Sequence, residues 1–144
     1  MKLIQIFSVI LFLSLTFTAC SSVSNNSDGN TSLFGTGWVL TKIEGQAVAK
    51  PLGGNVATLT LIYRDSTFSG NGSCNQYFGN FETSGNTIKF KELGSTKMMC
   101  DDMNIEINFF NAIKKSTSFE IKDDTLLLYS GGKIILEFVA NSPK

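Results

Sequence analysis

Histidine is absent from all 144 residues. That removes the commonest general base, the commonest metal ligand and every Ser-His or Cys-His nucleophile pair. An excess of either charge is also missing, because 12 basic and 12 acidic side chains cancel. No basic block is present to hold phosphates, so nucleic acid is a poor partner. No acidic tail invites a basic partner, and no internal repeat is visible. Cysteine is sparse, at three.

What is present begins with an apolar N-terminus. Lys2 is followed by an almost wholly apolar run from Leu3 to Leu15, broken by Gln5, Ser8 and Ser14. Thr16, Phe17, Thr18, Ala19 and Cys20 come next. A charged start, a short apolar core and small residues before a boundary describe a secretory signal over residues 1–19. As a membrane span the run is at the short limit and carries polar residues. Phe17-Thr18-Ala19-Cys20 resembles the bacterial lipobox, whose cysteine is acylated and becomes the new N-terminus, which makes Cys20 the lipid attachment site. Each buried methylene of an acyl chain contributes about 0.8 kcal/mol, so several chains hold firmly. Residues 20–33 are mostly Ser, Asn, Gly, Asp and Thr, too polar to order themselves. They read as a lipidated tether with a reach of roughly 20 Å. Ser21 is compatible with outer-membrane sorting.

About 125 residues remain after the signal, enough for one domain. Twelve Phe and one Trp supply much of a core. Short apolar alternations broken by turns predict strands at Trp38 to Ile43, Val56 to Tyr63 and Thr67 to Ser73. Ser84-Gly85-Asn86 and Asp123-Asp124 read as hairpin turns, and Ser130-Gly131-Gly132 leads into a last strand over Lys133 to Val139. One segment, Asp101 to Lys115, has helical spacing. Met103, Ile107, Phe110 and Ile113 form its expected core stripe, widened by Ile105, Phe109 and Ala112. Asp101 or Asp102 suits its N-terminus, and Lys114 and Lys115 suit its C-terminus. The expected fold is mainly β (α+β): an antiparallel β-barrel-like meander with one packed helix, over residues 34–140.

With Cys20 assigned, Cys74 and Cys100 remain. An even pair in an oxidising compartment is most simply a disulfide closing a loop of about 26 residues. The rival, a zinc site, lacks histidine and any C-x-x-C spacing. A catalytic cysteine lacks an activating base.

The same residues carry a resemblance. Gly70-Asn71-Gly72-Ser73-Cys74-Asn75-Gln76-Tyr77-Phe78-Gly79-Asn80-Phe81 resembles the first signature of the META-domain (HslJ-like) family, and Ser95-Thr96-Lys97-Met98-Met99-Cys100 resembles its second. Gly70, Gly72, Asn75, Phe78, Gly79, Thr96, Lys97 and Met98 are the motif positions, structural or binding in role. Lys97 stands where the family commonly has Arg, and a lysine cannot copy a bidentate arginine contact. The resemblance implies an antiparallel barrel-like sheet with one helix, and a small envelope protein active in stress protection.

Read from the residues, Gly70, Gly72 and Gly79 allow sharp turns or close backbone approach. Asn75 suits a turn, and Tyr77, Phe78 and Phe81 are expected to pack around the disulfide. Gly70-x-Gly72 is no phosphate loop, because a third glycine is missing and no helix follows. Asp101, Asp102, Glu82, Glu92 and Glu106 are the acids that a glycosidase-like mechanism would draw on. Asp101 and Asp102 are adjacent, and helix capping explains them. The expectation is a non-catalytic envelope lipoprotein with no cofactor and no metal. Its membrane contact is the lipid on Cys20, and its partner an envelope protein, a glycan or a small apolar ligand in the barrel mouth. The alternative is an inhibitor of a hydrolase such as a lysozyme or protease, presenting the loop around Asn75 to Tyr77.

Overall fold

The computed structural model describes residues 31–49 and 55–141. The expected signal, Cys20 and the tether up to residue 30 lie outside the described residues.

Among the described residues, nine strands and one helix follow in the order β1 (Trp38–Ile43), β2 (Gln46–Ala47), β3 (Thr58–Ile62), β4 (Thr67–Asn71), β5 (Gln76–Ser84), β6 (Thr87–Ser95), α1 (Asn104–Lys115), β7 (Ser118–Lys122), β8 (Thr125–Ser130) and β9 (Lys133–Ala140). All named strands pair antiparallel with their neighbours, and β1 also pairs with β9 from Trp38↔Ala140 to Ile43↔Leu136, so the sheet closes into a ring. The weakest join is β6 to β7, which share the single residue pair Thr87↔Ser118. Helix α1 connects these two strands and packs against β6, β9 and β1. Among the described residues no helix is long and apolar enough to cross a membrane.

Turn chemistry sets the register. Gly85, Asp123, Gly131 and Gly132 all have positive φ at the three expected turns. The pairs Ser84↔Thr87, Lys122↔Thr125 and Ser130↔Lys133 leave two-residue loops at each. Because strands alternate in direction, the turns fall on two rims. The β3–β4, β5–β6 and β7–β8 turns share one rim with the start of β1. The β4–β5 connection, the loop from β6 into α1 and the β8–β9 turn lie on the other. The chain reaches the first rim from its N-terminal side: Thr31 Oγ1 donates to Asp124 Oδ1 at 2.6 Å, and Phe34 bridges Leu61. Leu33 is buried, and its carbonyl accepts from Trp38 Nε1 at 3.1 Å. Packing therefore begins before residue 34, inside the segment expected to be tether.

The ring interior is filled by side chains. Trp38, Phe68, Tyr77, Phe109, Phe138 and five leucines are among its fully buried residues. Tyr77 meets Phe109 edge-on at 5.5 Å, and Phe109 meets Phe138 at 6.1 Å, which ties the helix to both sides of the ring. The helix stripe differs from expectation. Glu106, Phe109, Ala112 and Ile113 are buried, whereas Ile107 is 53% exposed and Phe110 only half-buried. The helix starts at Asn104, whose N–H donates to Asp102 Oδ1 at 2.8 Å, while Met103 occupies the N-cap position.

Candidate functional site

The two motif segments meet on the second rim, around one buried asparagine and one buried carboxylate. Between β4 and β5 the chain turns sharply through Gly72 to Asn75. Asn71 Oδ1 accepts from Ser73 N at 2.8 Å, and Ser73 adopts a φ of 100°. Gly72 N closes the turn on Asn75 O at 2.7 Å. The Asn75 side chain, 2% exposed, then reaches beyond its own turn. Its Oδ1 accepts from Thr96 Oγ1 and from Met98 N, both at 2.7 Å. Its Nδ2 donates to Met98 O at 3.2 Å and to Glu106 Oε1 at 2.7 Å. All four hydrogen-bonding positions of the amide are used.

Glu106, 3% exposed, completes the hub from the first turn of α1. Its Oε2 accepts from Asn75 N at 2.6 Å and Cys74 N at 3.2 Å. Among the described residues no cation stands within ion-pair distance of it. Two backbone amides, the Asn75 amide and the positive end of the helix dipole balance the charge instead. The disulfide between Cys74 and Cys100, with Cα atoms 6.0 Å apart, fastens the 96–100 segment to the same turn. The expected pairing of these two cysteines is thus present.

The motif glycines are explained by what lies beside them. A Cβ on Gly72 would stand 2.6 Å from the Phe110 ring and 2.9 Å from Glu106 Oε2. One on Gly79 would stand 2.5 Å from Phe68 and 2.6 Å from Lys91 O, beside a bulge where Glu92 takes a φ of 52°. One on Gly70 would stand 2.0 Å from Thr58 O, the carbonyl that accepts from Tyr77 Oη at 2.6 Å. Burial raises the pKa of that phenol, which keeps it a neutral donor. Gly70→Ala should therefore cost about 2–3 kcal/mol by overpacking against backbone. Gly94→Ala should cost under about 1 kcal/mol, since its Cβ would meet only the exposed Phe78 ring at 3.3 Å. Urea unfolding of both variants checks this, and equal losses would refute the close-approach reading.

Three expected site residues point elsewhere. Phe78 is 61% exposed and covers Gly94 on the outside, and Phe81 stacks on Phe34 at the first rim, so neither takes the expected place around the disulfide. The reason is strand alternation: Tyr77 and Phe81 face inward, so Phe78 faces out. Lys97 is exposed, and its side chain makes no ion pair among the described residues. Met98 joins the hub through its backbone, while its side chain and that of Met99 remain exposed at 59% and 92%.

Glu106 is the residue whose role the sequence did not disclose. Its spacing from Phe109 and Ile113, three and seven residues, is the signal that places it on the buried face. The arrangement holds the rim rigidly and leaves the carboxylate sealed. The nearest sizeable cleft, about 380 Å³ between the β1–β2 hairpin and α1, is lined by Asn104, Asn108, Asn111 and Gln46 rather than by Glu106.

Known proteins agree with this architecture. The chain is similar to a protein from Burkholderia xenovorans solved by NMR, at 28% identity and a TM-score of 0.61, over 77% of this chain and 85% of that one. A second NMR structure matches at 20% identity and a TM-score of 0.57, over 72% and 87% of the two chains, and shows the same fold. No curated protein matches the sequence. Residues 31–143 match the META domain, which covers the ring, the helix and both halves of the hub, and the chain belongs to the META-domain family.

Proposed function

We propose that this protein is a lipid-anchored, non-catalytic module of the cell envelope that acts through its outer surface, in envelope protection. The observation that carries this reading is the hub itself. Asn75 and Glu106, the most chemically capable motif-region side chains, are sealed and spend their hydrogen bonds on each other and on Cys74, Thr96 and Met98. The ring interior is packed with aromatic and aliphatic side chains. Recognition is then left to exposed groups. A second reading, inhibition of a hydrolase, draws support from one feature. Lys97, Met98 and Met99 project from a segment pinned by Asn75 on one side and the disulfide on the other, and a rigid exposed loop suits an enzyme cleft. The loop around Asn75 to Tyr77 does not, because Asn75 and Tyr77 are buried.

Mass spectrometry of the mature protein from envelope fractions tests the anchor. The expected result is an N-terminal acylated Cys20, with Cys20→Ser blocking the modification. An unmodified N-terminus beyond Cys20, or an uncleaved signal, would overturn the reading. A saturating fall in lysozyme or protease activity on adding the protein would select the inhibitor reading.

A further inference from the structure

A groove of about 510 Å³ opens between the end of the β5–β6 hairpin and the C-terminal turn of α1. Ile88 forms part of its wall and is buried, while Lys89, Lys114 and Lys115 line it and are exposed. Among the described residues none of the three lysines has a carboxylate within ion-pair distance. The one acid in the lining, Glu82, is engaged by Lys91, and that contact holds its carboxyl below the usual range. The nearby hydroxyls are committed: Thr83 donates to Thr87 O, Thr87 to Ser84 O and Ser116 to Ala112 O. The donors left uncommitted among the described residues of the groove are the three ammonium groups and the Ser84 hydroxyl. In a chain of zero net charge, this is a local excess of positive charge.

Position supplies the second argument. The β5–β6 turn lies on the same rim as the β7–β8 turn, where Thr31 bonds Asp124. The groove includes the end of that hairpin, Ser84 and Thr87, and so adjoins the rim that the N-terminal segment reaches. In sequence, only the residues from Ser21 to Asn30 lie between Cys20 and Thr31, which bonds at that rim.

We propose that this groove binds the anionic phosphodiester headgroup of a lipid in the membrane that anchors the chain. The proposal rests on the anchored reading given above. The ammonium groups meet the phosphate, while the lysine stems meet the glycerol and the first acyl carbons. The contact orients the domain, with the groove rim toward the bilayer and the Asn75–Glu106 rim away from it.

The test uses the lipidated full chain on vesicles, with lysine acylation read by mass spectrometry. Lys97 and Lys133 lie on the opposite rim and serve as internal controls. On phosphatidylglycerol vesicles, Lys89, Lys114 and Lys115 should react about fivefold more slowly than on phosphatidylcholine vesicles. That factor corresponds to about 1 kcal/mol per lysine at an anionic surface. Lys97 and Lys133 should be far less affected. Uniform reactivity across the two vesicle types overturns the proposal. Uniform protection of all five lysines overturns it as well, since it reports only general attraction. Protection by inorganic phosphate on phosphatidylcholine vesicles, with none added by phosphatidylglycerol, assigns the groove to free phosphate and overturns the lipid source. Failure of the anchor is separately visible, as loss of attachment to phosphatidylcholine vesicles.

Discussion

Glu106→Ala is expected to lower the unfolding free energy by roughly 3–6 kcal/mol, because it strips the acceptor from three buried donors at once. The donors are the backbone N–H groups of Cys74 and Asn75 and the Asn75 Nδ2. Each unsatisfied donor costs about 1–3 kcal/mol. Glu106→Gln should cost less, about 1–3 kcal/mol. Its oxygen can still serve the two backbone amides, but its NH2 group then faces the NH2 group of Asn75. Turning the Asn75 amide to relieve that conflict would break its bonds to Thr96 and to Met98 N. A double-mutant cycle with Asn75→Ala isolates the pair, and coupling near zero would show that the two residues do not act as a unit. The measurement is urea unfolding of the oxidised protein. Retention of the Cys74–Cys100 bond in every variant keeps the reference state the same.

The difference between legible and illegible features follows the range of the interaction that creates them. The hairpins at Gly85-Asn86, Asp123-Asp124 and Gly131-Gly132 depend on residues inside the turn, so composition marks them. The need for glycine at positions 70, 72 and 79 is also visible, but its cause is not. Thr58, Phe110 and Phe68 crowd these positions from other elements. Asn75 reads as a local turn residue because asparagine commonly bonds its own backbone. Here its partners lie 21 to 31 residues away. The structural role of Glu106 is not visible in the sequence, because a charged side chain on an amphipathic helix is ordinarily solvated. The lysine groove is hidden for the same kind of reason: Lys89 and Lys114 are far apart in sequence, and no basic run announces them. Phe78 shows the opposite failure, a strongly apolar residue whose outward direction is fixed by the pleat and not by its chemistry.

The helix stripe offers the last and most discriminating case. Apolar spacing alone admits two registers: Met103, Ile107, Phe110 and Ile113, or Phe109, Ala112 and Ile113 with an acid at position 106. They differ by about one residue, roughly 100° of helix rotation. The second is the one adopted, because it carries the Glu106 carboxylate to the Cys74–Asn75 turn and inserts Phe109 between Tyr77 and Phe138. Phe109→Ala should then cost about 3–5 kcal/mol, the loss typical of a large aromatic cavity. Phe110→Ala removes a half-buried ring that covers Gly72 and touches Tyr77, and should cost about 1–2 kcal/mol. Ile107→Ala, at a solvated position, should stay within about 0.5 kcal/mol. Denaturant unfolding of the three variants reads the register directly. A ranking with Ile107→Ala or Phe110→Ala as the costliest change would rotate the helix to the first register. It would also withdraw Glu106 from the rim, so the same series bears on the hub. Phe109 therefore connects the two halves of the molecule: its ring completes the core, and its place in the helix register delivers the carboxylate that holds both family motifs together.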